Sequence, residues 1–128
     1  MSTDRPEAAP APPQQPASDG RISIQDFQRV RLVTGRILEA ERVPRSNKLV
    51  RLQVDLGSEK RQVVAGIATR YEPEALVGRN VVVVANLKPA KLMGVESDGM
   101  ILAATVGEAG EPHLLEVGAD VPPGSIVK

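Results

Sequence analysis

The chain has 128 residues, enough for one domain and a tail, and its 41% hydrophobic content is sufficient for a packed core. It has no cysteine and a single histidine, His113, which excludes disulfides, a thiol nucleophile and the usual zinc sites. No apolar run approaches the roughly 20 residues that span a bilayer, and no signal-peptide pattern precedes the domain. We therefore expect a cytoplasmic protein with no cofactor, no metal and no membrane partner.

The formal net charge of zero hides an uneven distribution along the chain. Residues 21–91 hold 14 Lys/Arg and 7 Asp/Glu, a balance of +7, whereas residues 92–128 hold one Lys and six acids, a balance of −5. A basic body of this kind favours a polyanionic partner. Charges spread evenly over a solvated surface would give the same counts, so both interpretations stay open.

The N-terminal segment reads as a tail. Five prolines stand among Ala, Gln and Ser in residues 1–21, with too little apolar surface to offset the entropy of ordering. We predict a disordered Pro/Ala-rich tail or linker over residues 1–21 and one domain over residues 22–128. At the start of that domain, Ser23 can cap a short helix over residues 22–30, and Phe27 is expected to fill the core under the barrel.

The remaining pattern is that of a small β protein. Residues 48–56 alternate apolar and polar side chains, which is typical of a half-buried strand, and Gly35 indicates a bulge or bend in the strand before it. The sequence predicts strands over residues 32–43, 48–56, 61–68, 80–85 and 100–105, a helical turn over 73–77, and short apolar segments over 113–117 and 125–127. Five strands with a helix between the third and fourth match an all-β fold with short helices, a five-stranded OB-fold β-barrel with a C-terminal extension.

The connection between the last two predicted strands is unusually long. Residues 86–100, here called the link, contain two lysines, a proline, two glycines and an Asp-Gly turn signal. A hairpin at this point needs only two to five residues. The extra length predicts a ligand-binding loop.

The sequence favours binding over catalysis. It has no phosphate-binding glycine loop and no two-histidine zinc helix, and neither Ser46 nor Ser97 has a base nearby in sequence. We therefore predict that the protein is not an enzyme. With only Phe27 and Tyr71 as aromatic residues, it lacks the stacking platforms of single-strand binders, whereas folded RNA is recognised by shape, phosphates and 2′-hydroxyls.

The link, Asn86-Leu-Lys-Pro-Ala-Lys-Leu-Met-Gly-Val-Glu-Ser-Asp-Gly-Met100, and residues 64–78 resemble the structure-specific tRNA-binding domain family. This domain occurs at the C-terminus of methionyl-tRNA synthetases, in free-standing tRNA-binding proteins and in EMAP II-like proteins. The resemblance covers residues 22–128. It implies an OB-fold that binds the outer corner or elbow of tRNA with little sequence preference, and a homodimer formed through the C-terminal segment.

The resemblance also implies which residues bind RNA. Those that match the family's functional positions are Lys48, Asn86, Lys88, Lys91, Ser97, Gly99 and Met100. Lysines would neutralise phosphates, while the Ser97 hydroxyl and the Gly99 amide could hydrogen-bond phosphate or ribose. Met100 could supply an adaptable apolar contact or simply pack in the core.

Two questions stay open at this point. Met1 favours a separate chain, whereas the Pro/Ala-rich tail is similar to linkers that join such modules to a synthetase, so a partnership with methionyl-tRNA synthetase is possible in either form. A short relative of the family resembles an export-related chaperone. In that alternative, apolar side chains of the link would face an unfolded protein client; they are Leu92, Met93, Val95 and Met100.

Overall fold

The computed structural model describes residues 19–128, so the predicted tail lies almost wholly outside the described residues. The chain divides into two compact units at Arg31. Within the first unit, α1 spans Ile24–Gln28, and the Ser23 hydroxyl caps it by accepting a 3.0 Å hydrogen bond from the Asp26 amide. No helix among residues 19–128 has the length and apolarity to cross a membrane.

Phe27 does not have the role expected of it. Its side chain is 40% exposed, and no residue of α1 is buried. The prediction that Phe27 fills the core is therefore wrong. A helix of five residues makes little more than one turn, which is too short to bury a continuous apolar face of its own.

Residues 31–128 form an antiparallel barrel that is nearly closed. Five strands pair in the order β3-β2-β1-β4-β7, which confirms the predicted OB-type fold. The helical turn α2, Pro73–Leu76, lies between β3 and β4 as predicted. The strands are β1 Leu32–Arg42, β2 Val50–Asp55, β3 Lys60–Ala65, β4 Asn80–Val84, β5 Ala90–Leu92, β6 Val95–Ser97, β7 Met100–Ile101, β8 Ala103–Val106, β9 Glu111–Leu114 and β10 Ile126–Val127.

The predicted last strand is divided. Its first part, β7, pairs with β4 in the barrel and ends at Ile101. The following residues form β8, which pairs with β9 in a separate hairpin. The core is aliphatic, as the composition requires, and alternation along β2 places Val50, Leu52 and Val54 inside it.

The C-terminal extension is tied to the barrel by two buried polar side chains. The Asn80 amide donates to the carbonyls of Gly118 (2.8 Å) and Val121 (3.2 Å). The Thr34 hydroxyl donates to the Pro122 carbonyl at 2.8 Å. Because an unsatisfied buried polar group is costly, these bonds fix the path of the extension across β1 and β4.

Gly35 does not form the bulge or bend that the sequence predicted at this position. The bulge in β1 lies further along, between Ile37 and Glu39 in the pairing with β2. A Cβ at Gly35 would stand 2.6 Å from the nearest methyl of Val54 and 3.0 Å from Leu56. Glycine is therefore required at this position by close packing across the barrel rather than by a bend.

A Gly35→Ala substitution should overpack the barrel and lower the free energy of unfolding by about 1–3 kcal/mol. The matched control is Gly66→Ala, where the nearest atom to an added Cβ is 4.0 Å away and φ is not positive. That variant should be neutral or stabilised by up to about 1 kcal/mol, because alanine restricts the unfolded chain. Urea unfolding measures both, and equal midpoints for the two variants would contradict the packing argument.

Candidate nucleic-acid interface

The link folds into a hairpin that the sequence did not reveal. Strands β5 and β6 pair through Ala90 with Ser97, Lys91 with Glu96 and Leu92 with Val95. The two residues between the strands, Met93 and Gly94, have φ of 52° and 80°. Positive φ at both central positions is the type I′ turn that suits the twist of a two-residue hairpin.

Ser97 fastens this hairpin to the barrel. Its side chain is 5% exposed, and its hydroxyl accepts a 2.9 Å hydrogen bond from the Val64 amide and donates a 3.1 Å bond to the Gly99 carbonyl. The sequence-based expectation was a direct hydrogen bond from this hydroxyl to RNA. In the structure the hydroxyl is engaged inside the domain, so its influence on the surface is through the position of the hairpin.

The returning arm of the link continues along β3. The Asp98 amide donates to the Gln62 carbonyl at 2.8 Å, and the Gln62 side chain donates to the Glu96 carbonyl at 2.8 Å. Gly99 has φ of 139°, and a Cβ there would lie 3.3 Å from the Val84 carbonyl oxygen. Gly99 is thus required where the link closes against the barrel backbone.

Arg61 holds both ends of the link. Its guanidinium donates to the Ala85 carbonyl, just before the link, and lies 3.8 Å from the Asp98 carboxylate near its end. It also donates two bonds to Glu59, at 3.2 and 3.0 Å. The hydrogen bond from Arg61 lowers the pKa of Glu59, so this carboxylate is charged at neutral pH. Arg61 is therefore occupied within the domain.

The predicted lysines of the link face solvent. Alternate side chains of a strand lie on opposite faces. In β6, Val95 and Ser97 face the barrel, so Glu96 faces solvent, and Lys91, which lies opposite Glu96 in β5, faces solvent with it. Lys88 is exposed between the bend at residues 86–87 and β5. Two lysines separated by three positions thus lie on the exposed part of a segment that the barrel holds in place.

The ends of the link carry two further predicted residues. The Asn86 side-chain oxygen accepts a 2.8 Å hydrogen bond from the Arg31 amide, so it joins the link to the start of β1. Met100 pairs with Val84 and its side chain is 46% exposed. Of the two interpretations of Met100, the structure supports a surface position over core packing.

Lys48 lies in the loop between β1 and β2. The Ser46 hydroxyl accepts hydrogen bonds from the amides of Lys48 (3.3 Å) and Leu49 (3.0 Å), and the Val43 amide donates to the Leu49 carbonyl at 3.0 Å. The loop is therefore ordered, with the Lys48 side chain exposed. Its residues and the hairpin tip line one open depression of about 540 Å³, which brings Lys48 close to Met93.

Most arginines of the barrel unit are ion-paired, whereas no lysine among residues 19–128 is. Five arginines of the barrel unit form ion pairs with carboxylates: Arg42 with Glu72, Arg51 with Glu41, Arg61 with Glu59, Arg70 with Glu111 and Arg79 with Glu116. Within residues 19–128, no ion pair involves Arg45, Lys48, Lys88 or Lys91. The cations of the barrel unit that form no ion pair with a described residue include every predicted lysine. The others are Arg31, Arg36, Arg45, Lys60 and Lys128.

No cluster of metal-ligating side chains occurs among the residues that the structure describes. The site consists instead of the exposed ammonium groups of Lys48, Lys88 and Lys91 and the exposed side chains of Met93 and Met100. Hydrogen bonds hold the segments that carry these side chains. Such an arrangement can bind anions and apolar surface.

Comparison with known proteins agrees with this description. Residues 32–126 match the family described as "Putative tRNA binding domain". The chain belongs to this family. The match covers the barrel, the link and the C-terminal extension, which confirms the resemblance seen in the sequence.

Members of the tRNA-binding domain family with close sequences are parts of larger proteins. The methionine–tRNA ligase of Thermotoga maritima is 57% identical over 111 residues, which are 87% of this chain and 17% of that protein. The chain thus spans about 17% of the length of that relative. The matched region is the non-catalytic tRNA-binding domain, and the catalytic part is not covered.

Two solved structures extend the comparison. A MetRS related protein from Pyrococcus horikoshii superposes with a TM-score of 0.80 at 39% identity, covering 84% of this chain and 98% of that one. The chaperone CsaA from Bacillus anthracis superposes with a TM-score of 0.76 at 32% identity, covering 84% and 99%. The tRNA-binding domain fold therefore occurs both in a MetRS related protein and in a protein described as a chaperone.

The anchoring role of Ser97 can be tested by stability. Ser97→Ala should lower the free energy of unfolding by about 1–3 kcal/mol, because the buried Val64 amide loses its acceptor. The control is Ser58→Ala at an exposed turn position, which should stay within about 0.5 kcal/mol of the parent. Amide hydrogen exchange at Val64 should accelerate in the first variant alone, and unchanged protection there would contradict the assignment.

Proposed function

We propose that this chain binds folded tRNA through the link and the β1–β2 loop, at the outer corner of the tRNA and with little preference for sequence. The observation that carries the proposal is the set of unpaired lysines, Lys48, Lys88 and Lys91, on segments held in place by hydrogen bonds. Exposed lysines neutralise phosphates and release counterions, which supplies sequence-independent affinity. Membership of the tRNA-binding domain family supports tRNA as this polyanionic partner.

Tyr71, the aromatic residue of the barrel unit, supports a folded rather than a single-stranded RNA. Tyr71 is 8% exposed, and its hydroxyl oxygen accepts a 3.1 Å hydrogen bond from the Leu114 amide. The guanidinium groups of Arg70 and Arg79 lie 5.3 and 5.1 Å from the centre of its ring. The Tyr71 ring is thus buried, bonded to β9 and in contact with two guanidinium groups. It offers no platform on which bases could stack.

The predicted site residues divide between contact and support. Lys48, Lys88, Lys91 and Met100 are exposed and are proposed to touch the RNA. The other three are proposed to hold the link in the shape that binds. Asn86 and Ser97 accept bonds from backbone amides, and Gly99 allows the link to lie close against Val84.

The proposal includes how the domain is used. The tRNA-binding domain would add affinity to a methionyl-tRNA synthetase in the cytoplasm, either as its appended module or as a separate chain that associates with it. A homodimer through the C-terminal segment is supported by large apolar side chains that remain exposed there, Val106 (48%), Leu115 (43%) and Ile126 (62%).

A second function rests on the same link. The similarity to the chaperone CsaA and the exposed side chains of Leu92 (39%) and Met93 (57%) support binding of an unfolded protein client. The unpaired lysines favour RNA over an apolar client, because a client gives them no defined partner.

Removing the lysines should reduce the dependence of binding on salt. We expect Lys88→Ala and Lys91→Ala each to weaken tRNA binding and to lower the slope of log K against log salt by about one unit, as for one lost phosphate contact. Lys128→Ala, at the exposed C-terminus, is the charge-matched control and should leave the slope unchanged. Unchanged slopes in both link variants would place the RNA surface elsewhere.

A comparison of RNA with single-stranded DNA should identify the class of ligand. Unmodified tRNA should bind more tightly than single-stranded DNA of equal length in filter binding, because the site has phosphate-binding groups and no stacking platform. Equal affinity for the two would rule out recognition of RNA structure. Suppression of client aggregation without any tRNA binding would favour the chaperone function instead.

A further inference from the structure

Two non-glycine residues within residues 19–128 have a left-handed backbone, Arg45 with φ of 71° and Met93 with φ of 52°. They belong to different segments, the β1–β2 loop and the hairpin tip, yet both line the same depression. Arginine and methionine are not residues that favour this conformation, which is enriched in glycine, asparagine and aspartate. Strained backbone of this kind gathers at binding sites, where the surrounding structure maintains it.

The depression combines apolar and cationic groups. Leu49, only 9% exposed, belongs to a small apolar cluster with Val43 and Val64, against which Val95 of the hairpin packs. This packing brings the hairpin tip beside the loop. The depression is open to solvent, with a volume of about 540 Å³ above its lining residues. Its lining residues are Arg45, Ser46, Asn47, Lys48, Leu49 and Met93.

We propose that this depression receives one unpaired nucleotide of a folded RNA. The base would lie against the side chain of Met93, which is 57% exposed, and its phosphate would be neutralised by Arg45 and Lys48. Sulfur contacts with aromatic rings are favourable, and a thioether adapts to any base. The inference rests on the proposed RNA-binding function and deepens it, because it adds a subsite for an unstacked base to a surface that otherwise offers phosphate contacts.

The charge of the depression favours a nucleotide over a peptide. Neither Arg45 nor Lys48 forms an ion pair with a residue that the structure describes, so two cations stand beside exposed apolar surface. A nucleotide offers both a phosphate and a flat apolar face within one residue of chain. An apolar client segment would gain nothing from the two exposed cations.

Met93 occupies a turn position at which asparagine would be relaxed. In a type I′ turn the preferred dipeptide is Asn-Gly, and here the turn is Met93-Gly94. Met93→Asn should therefore have opposite effects on stability and binding. The urea midpoint should rise because the strain is relieved, whereas the contact with the base should be lost.

The test uses two RNA duplexes that differ by a single-nucleotide bulge, together with unmodified tRNA. The parent protein should bind the bulged duplex more tightly than the plain duplex, by roughly 3- to 10-fold, as expected for a sulfur–aromatic contact. Met93→Asn should remove this preference while raising the urea midpoint. Met93→Leu should retain most of the preference, and Arg45→Asn should weaken binding of the bulged duplex while relieving strain at that position.

Several results would overturn the inference. Equal affinity of the parent for the two duplexes, with tRNA bound normally, would exclude the nucleotide subsite and leave the proposed function intact. A Met93→Asn variant that loses affinity equally for both duplexes would assign Met93 a general role. Impaired suppression of aggregation of a denatured protein by that variant, with the bulge preference unchanged, would make the depression a protein-binding site. Absence of tRNA binding by the parent would overturn the proposed function and the subsite together.

Discussion

The hydrogen bond from the Val64 amide to the Ser97 hydroxyl joins the long link to the barrel at a point that is almost closed to water. A buried amide needs an acceptor, and β3 has no neighbouring strand there to supply one. Because Ser97 supplies it, the returning arm of the link lies along β3 and Val95 packs on the small apolar cluster. The tip of the hairpin then lies beside the β1–β2 loop. The position of the candidate interface depends on this buried attachment, which acts together with the bonds that Gln62, Arg61 and Asn86 make to neighbouring backbone and side chains.

A chain with no formal net charge can still present a basic surface, because its cations are used in two ways. Arginines pair with carboxylates across strands, as Arg51 does with Glu41. They also pair between the segments on either side of α2 and the region of β9, as Arg70 and Arg79 do with Glu111 and Glu116. Planar guanidinium groups suit such fixed, forked contacts, whereas lysine carries a compact, hydrated charge on a flexible stem that suits phosphates. The lysines of the link and the loop form no ion pair among the described residues, although Glu96 lies opposite Lys91 across the hairpin. Local pairing, rather than net charge, therefore decides what the surface attracts.

The sequence predicted the barrel well because strand alternation and β-branched residues report directly on burial. It located the link because a fifteen-residue connection is too long for a hairpin turn. It missed the hairpin inside the link, since Met93-Gly94 lacks the usual Asn-Gly signal, and it missed Arg45, whose left-handed backbone leaves no mark in composition. It also assigned Ser97 to the surface, because a serine in a turn looks the same whether its hydroxyl faces solvent or a buried amide.

The most direct test of the interface is to follow backbone amide resonances of the ¹⁵N-labelled chain while unmodified tRNA is added. Perturbations should concentrate in residues 86–100 and in the β1–β2 loop, with Met93 and Lys48 among the largest, and the β8–β9 hairpin should change little. Perturbations confined to β8, β9 and the C-terminal extension, with the link unaffected, would contradict the assignment of the link as the RNA-binding surface.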